Sequence, residues 1–86
     1  MKIKEGWMLR EVAGEFIAIP VGAQIDFDGM ITLNETGKVI WTCLEKGAEQ
    51  EELVQALLNE FDVDEQTAKM HVAAFTDKLK ELELLA

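Results

Sequence analysis

The segment DFDGMITLNE, Asp26 to Glu35, decides between two folds for the first half of this chain. As part of an EF-hand loop running from Gln24 to Glu35, it would place carboxylates at loop positions 3, 5 and 12 and glycine at position 6. Position 1 would be a neutral glutamine, which removes one carboxylate from the site. The alternative is a turn at Asp28-Gly29, a short strand over Met30 to Leu33, and Asn34 as the N-cap of a helix.

The residues before this segment favour the strand. An EF-hand needs a helix before its loop, but EVAGEFIAIPVG, Glu11 to Gly22, contains one proline, two glycines and a run of β-branched and aromatic residues. Proline costs about 3 kcal/mol inside a helix and glycine about 1, whereas β-branched and aromatic residues are typical of strands. We therefore predict a strand here and keep a small calcium-binding module as an alternative.

The whole sequence predicts three strands followed by three helices. Strands are expected over Trp7 to Val12 and Glu15 to Pro20, and the tight Ala13-Gly14 connection between them indicates a hairpin. Helices are expected over about Glu35 to Glu45, over about Gln50 to Glu60, and after Asp64 as an N-cap. This order predicts an α+β fold, a small antiparallel sheet packed on a helical layer. The apolar helical positions are Val39, Ile40, Cys43 and Leu44; Leu53, Val54, Leu57, Leu58 and Phe61; and Ala68, Val72, Phe75, Leu79 and Leu82, with Leu84 and Leu85 folding back onto the core.

Length and charge limit the class of protein. The chain has 86 residues, which predicts one domain over residues 1–86. Hydrophobic residues make up 49%, which argues against a disordered chain. The formal net charge is −9, from 17 acidic and 8 basic residues, and this opposes binding to nucleic acid or to anionic membranes.

The single cysteine and the N-terminus predict a cytoplasmic protein. Cys43 has no partner for an intrachain disulfide, which suits a reducing compartment. The segment MKIKEGWML lacks the apolar stretch of a signal peptide. No apolar run approaches the roughly 20 residues that a bilayer-spanning helix needs.

The residue types that carry common chemistries are missing or isolated. The chain has no serine, and neither a P-loop nor a GxGxxG motif occurs. His71 is the only histidine and has no partner suited to a metal site. Cys43 falls on a predicted buried stripe without a neighbouring base. We therefore predict a protein that is not an enzyme and holds no metal or cofactor.

The third predicted strand offers a different kind of site. Gly29 to Leu33 contains no lysine or proline, the residues that usually protect a sheet edge. If the strand lies at an edge, an extended peptide can add to it as a fourth strand, with pockets beside it giving specificity. The same edge can instead be covered by the chain itself or by the partner subunit of a homodimer.

Three segments resemble the PqqD family, named for protein D of pyrroloquinoline quinone (PQQ) biosynthesis. They are WMLREVAGEFIAIPVG, GMITLNETGKVIWTCLEKG and EELVQALLNEFDVDEQTAKMHVAAFTDKL, and the most specific part is LNETGKVIW, Leu33 to Trp41. The resemblance implies a winged-helix-like domain that acts as a peptide chaperone, or RiPP recognition element. Such a chaperone binds the leader of a ribosomally made precursor peptide and presents it to a modifying enzyme, often a radical-SAM iron–sulfur enzyme. The resemblance does not specify the product.

The resemblance also implies where the leader lies. It would add as a strand beside the third strand, in the cleft between that strand and the third helix. Periodicity leaves open which helical residues face this cleft and which face the core. The candidate contacts are Met30, Ile31, Thr32 and Leu33 on the strand and Ala68, Lys69, Val72, Ala73, Phe75, Thr76 and Leu79 on the helix.

A winged-helix nucleic-acid binder is the other alternative. The order of strands and helices allows it, but the third helix has no basic stripe. Lys69, Lys78 and Lys80 are interleaved there with Asp77 and Glu81.

Overall fold

A computed structural model describes residues 1–20 and 31–85, except the side chain of Pro20. Three features predicted from the sequence lie outside these residues. They are the turn at Asp28-Gly29, the candidate contact Met30, and most of the alternative EF-hand loop from Gln24 to Glu35. The described elements confirm the predicted α+β order of strands before helices. They are β1 (Trp7–Val12), β2 (Glu15–Pro20), β3 (Ile31–Leu33), α1 (Glu35–Lys46), α2 (Gln50–Glu60) and α3 (Glu65–Glu81).

The described strands form an antiparallel sheet in the order β1-β2-β3, so β3 lies at one edge. The β1–β2 hairpin turns at Ala13 (φ 53°) and Gly14 (φ 83°), the two positive φ values that a type I′ turn requires. β2 and β3 pair Phe16 with Leu33, and Ala18 with Ile31. Because side chains alternate along a strand, these four residues share one face of the sheet, which packs against the helices.

Local capping signals set the helix bounds. Asn34 caps α1 by accepting a hydrogen bond from the Gly37 N–H at 2.8 Å, and Asp64 caps α3 by accepting one from the Thr67 N–H at 2.7 Å. At the far end of α1, Gly47 adopts φ 93°, a left-handed conformation that glycine accepts without a Cβ penalty. Helix α1 includes Lys46 and so extends one residue past its predicted end.

Several positions of the predicted stripes are only partly buried, and the clearest differences lie in α1 and at the end of α3. In α1, Ile40 and Leu44 are fully buried, but Val39 and Cys43 are only partly buried, and Trp41 is the largest fully buried side chain. The observed stripe is shifted because α1 contacts both β3 and the other two helices, and Trp41 lies edge-on to the Trp7 ring with 6.1 Å between centroids.

In α3, the assignment of Leu82 to the buried stripe was wrong. Leu82 is the C-cap residue and is exposed. The chain turns at Glu83 (φ 60°), and Leu84 takes the buried position instead. Leu84 and Leu85 fold back onto the core, as predicted.

The two ends of the described chain meet beside α1. Ile3 forms a β-bridge with Leu85, and its N–H donates to the Leu44 carbonyl at 3.0 Å. The Lys4 N–H donates to the Leu84 carbonyl at 2.8 Å. Ile3 and Leu84 are both buried, so these ends contribute to the core. None of the described helices is long and apolar enough to cross a membrane.

Candidate functional site

A cleft of about 610 Å³ lies between the β3 edge of the sheet and α3. Its walls come from four places: the β1–β2 turn, the start of β2, the stretch from β3 into α1, and one face of α3. The lining residues are Gly14, Glu15, Phe16, Ile31, Thr32, Leu33, Asn34, Glu35, Phe75 and Lys78.

The backbone of β3 forms one side of this cleft. On its other side β3 pairs with β2, and among residues 1–20 and 31–85 no further strand pairs with it. Backbone N–H and C=O groups point alternately to the two sides of a strand, so part of β3 presents unpaired donors and acceptors. Its middle residue, Thr32, is exposed and uncharged. This edge can therefore take an added strand without displacing a described part of the chain.

Apolar side chains form the floor and walls of the cleft. Leu33 is buried, whereas Phe16, Ile31 and Phe75 are partly buried and pack against the core. The Phe16 ring is held from one side by Lys38, whose Nζ lies 4.6 Å from the ring centroid, a cation–π distance. The Phe75 ring comes from the opposite wall, on α3. A peptide added to β3 would meet these rings with its inward-pointing side chains.

The polar groups of the cleft have mixed charge. Glu15 and Glu35 supply carboxylates, and Lys78 supplies an ammonium group. Lys78 forms no ion pair with any described residue. The cleft is thus apolar inside with charges of both signs around it.

The structure brings four of the predicted contacts together in the cleft: Ile31, Thr32, Leu33 and Phe75. Ala73 is partly buried and does not line it. Lys69 lies in a groove between α2 and α3 and pairs with Glu65 at 3.3 Å, away from the cleft. The remaining described candidates, Ala68, Val72, Thr76 and Leu79, are buried in the packed interior.

The burial of these four residues has a clear geometric reason. They lie on the α3 face turned toward α1 and α2, at spacings of four, four and three residues. Thr76 has no free donor to offer, because its hydroxyl donates to the Val72 carbonyl at 2.9 Å. The α3 side of the cleft is therefore Phe75 and Lys78.

Sequence reasoning missed six lining residues. Phe16 could have been found from the hairpin register, because β2 is the neighbour of β3 and Phe16 pairs with Leu33. Lys78 lies three residues after Phe75 and so on the same helical face. The others carried no signal for a cleft before the hairpin turn and the α1 N-terminus were placed in space. The six are Gly14, Glu15, Phe16, Asn34, Glu35 and Lys78.

Metal binding and nucleic-acid binding find little support in the described residues. His71 is exposed, and within residues 1–20 and 31–85 no three His, Cys, Asp or Glu side chains are grouped to hold a metal ion. The strand β2 occupies positions 15–20, where an EF-hand would have its first helix. On α3, Lys69 is already paired with Glu65, so a nucleic-acid-binding surface on this helix is not favoured.

The chain is similar to known proteins in sequence and in fold. The family model "Coenzyme PQQ synthesis protein D (PqqD)" matches residues 23–85. The structure "TbiB1 in Complex with the TbiA(beta) Leader Peptide" has a TM-score of 0.76 and 29% identity, covering 99% of this chain and 94% of that chain. The structure "Lasso peptide synthetase B1 complexed with the leader peptide" has a TM-score of 0.73 and 20% identity, covering 96% and 93% respectively, and shows the shared fold. No curated protein sequence matches the chain.

Proposed function

The chain belongs to the PqqD family, and we propose that it binds the leader of a ribosomally synthesised precursor peptide as a strand added to β3. The observation that carries this proposal is the edge of β3, which pairs with no further strand among the described residues and lies beside an apolar cleft. The similar TbiB1 is bound to a leader peptide in its own structure, which supports the same class of ligand here.

Two kinds of contact would hold the leader. Backbone hydrogen bonds to the N–H and C=O groups of β3 (Ile31–Leu33) that point away from β2 give affinity that depends little on sequence. Alternate leader side chains then point into the cleft, where Phe16 and Phe75 receive apolar groups, while the others point to solvent. Specificity would therefore come from every second leader residue.

The residues proposed to contact the leader come from the sequence prediction and from the lining of the cleft. From the sequence we keep Met30, Ile31, Thr32, Leu33 and Phe75. From the structure we add Phe16 and Lys78. The buried α3 residues support this wall from behind rather than touching the leader.

The module would deliver the leader and leave the chemistry to its partner, a radical-SAM or other peptide-modifying enzyme. A homodimer formed through β3 would use the same edge, so the leader and a second copy would compete for it. Leader addition would then convert dimers to monomers. The cytoplasmic location stays a prediction.

An amide-resolved NMR titration tests the site. The probe is the synthetic leader of the precursor peptide encoded beside the gene, and a scrambled peptide of the same composition is the control. We expect shifts concentrated at Ile31 to Leu33, at Phe16, and at Phe75 to Lys78, with none from the scrambled peptide. No shifts at any concentration, or shifts confined to β1, would contradict binding at β3.

Backbone methylation of the leader tests the strand addition without changing the protein. Methylating one leader amide removes one donor. Because strand donors alternate, affinity should fall with methylation at every second leader residue and change little at the residues between. A loss of affinity with no such alternation would contradict strand addition.

A further inference from the structure

We infer that Gly37, on α1, is a positioning residue for the cleft between β3 and α3, called the leader cleft below. Because Gly37 has no side chain, the Phe75 ring can lie against α1, and the position of this ring sets the width of the cleft. This inference rests on the proposed function for its consequence. The contact between Gly37 and Phe75 is independent of it.

A side chain at position 37 would meet the ring directly. A β-carbon built on Gly37 would lie 3.0 Å from Phe75 Cε2, 3.1 Å from Asn34 Oδ1 and 3.5 Å from Leu33 Cβ. Carbon atoms in good contact are about 3.5–4.0 Å apart. The first distance is therefore too short for the ring to keep its place.

The backbone does not explain the glycine. Gly37 lies within the first turn of α1 and its φ is not positive, so other residues could adopt its conformation. Glycine is also among the poorest helix formers. The close approach of the Phe75 ring is what the absent side chain permits.

Of the three neighbours, the ring is the one able to move. Asn34 Oδ1 is fixed by hydrogen bonds from the Gly37 N–H at 2.8 Å and the Thr36 hydroxyl at 2.9 Å. Leu33 is buried in β3. Phe75 is only partly buried and has open space on two sides: the leader cleft, and a smaller hollow of about 220 Å³ between α1 and α3.

Moving the ring in either direction changes the cleft. A shift of a few tenths of an ångström into the cleft narrows the space for an inward-pointing leader side chain. A shift of that size into the smaller hollow draws the apolar wall away from this side chain. Both outcomes weaken leader binding, and both act through Phe75.

A double-mutant cycle tests this. The variants are Gly37→Ala, Phe75→Leu and the pair, and the probe is the fluorescein-labelled synthetic leader of the precursor peptide encoded beside the gene. We expect Gly37→Ala to weaken binding at least about fivefold in the original background and less than about twofold beside Phe75→Leu. Thr42→Ala is the matched control, because it places alanine at an exposed site of α1 outside the cleft, and it should leave affinity unchanged.

A measurement without peptide separates this inference from the proposed function. Gly37→Ala should shift the Leu33 methyl resonances through the displaced ring, and the shift should disappear beside Phe75→Leu. If the leader does not bind the original protein, the proposed function fails, while the methyl shifts still report on the contact. Equal effects of Gly37→Ala in both backgrounds, or no methyl shift, would overturn the positioning role.

Discussion

Asn34 joins β3 to α1 and also lines the cleft. Its Oδ1 accepts hydrogen bonds from the Gly37 N–H and the Thr36 hydroxyl. We expect Asn34→Ala to lower the free energy of unfolding by about 1 kcal/mol, because a first-turn N–H loses its acceptor. Urea denaturation followed by circular dichroism measures this.

Asn34→Asp is the control for that prediction, since aspartate keeps the acceptor oxygen. It should lose much less stability than Asn34→Ala. An alanine variant as stable as the original protein would mean that the cap contributes nothing.

Asp64 gives α3 a pH-dependent cap. Hydrogen bonds from the Thr67 side chain and from its N–H lower the pKa of this exposed carboxyl below its ordinary value of 3.8. A lowered pKa in the folded state means that the carboxylate stabilises the fold above the unfolded pKa, and that this contribution is lost as pH falls through the folded pKa. The α3 cap should therefore weaken only in acid.

Comparison with Asp64→Asn isolates this effect from the other carboxylates. Asparagine caps a helix but does not titrate. We expect the difference in free energy of unfolding between the two proteins to stay constant from about pH 7 to 5. From about pH 4 downward, the original protein should lose stability relative to the Asp64→Asn variant. Urea midpoints across this range measure it, and a difference independent of pH would contradict the prediction.

At the scale of elements, β3 is the shortest of the described strands and carries the proposed function. Proline lacks an N–H and cannot extend an interior ladder. We expect Thr32→Pro to weaken leader binding at least about tenfold, since one ladder hydrogen bond and its geometry are lost. Isothermal titration calorimetry with the synthetic leader measures the change.

Thr32→Val is the matched control for the strand, because it keeps the N–H and suits a strand. It should bind as the original protein does. Circular dichroism must show that Thr32→Pro still folds, since Thr32 also pairs with Ile17 of β2. A folded Thr32→Pro protein with unchanged affinity would contradict strand addition.

The elements were predictable from sequence because their signals are local. Asn34, Gly47 and Asp64 mark helix ends through their own side chains or φ angles, and the hairpin follows from Ala13-Gly14. The absence of lysine and proline from β3 was visible in the same way, whereas the cleft beside β3 was implied by the family resemblance.

The α3 side was not predictable, because helical periodicity groups residues by face without saying what each face meets. Ala68 and Val72 turned out to face the other helices, whereas Phe75 and Lys78 face β3. That outcome depends on how α3 is rotated against the sheet. Phe16 needed the strand register, and Gly37 needed the measured approach of a ring from another helix.

At the scale of the whole molecule, charge repulsion opposes folding. The net charge is −9, and among the described residues two ion pairs form, Met1 amine to Glu49 and Lys69 to Glu65. Salt screens the remaining repulsion. We expect the Tm at pH 7 to rise by about 2–5 °C between roughly 10 and 200 mM NaCl.

Differential scanning calorimetry measures this rise. Repeating the series near pH 5 is the control, because partial protonation of carboxylates reduces the repulsion, and the dependence on salt should be smaller there. A Tm that falls with added salt at pH 7 would mean that attractive pairs dominate the surface.

The bridge between Ile3 and Leu85 has a topological consequence. The Cα atoms of paired antiparallel residues are about 4.5–5.5 Å apart, so the backbone almost closes into a ring, and no residue of the 79–85 segment or of the first 12 lines the leader cleft. Domains with adjoining ends tolerate insertion into a loop of another polypeptide. This fold can thus be inserted into another polypeptide, with both connections leaving from one place and away from the cleft between β3 and α3.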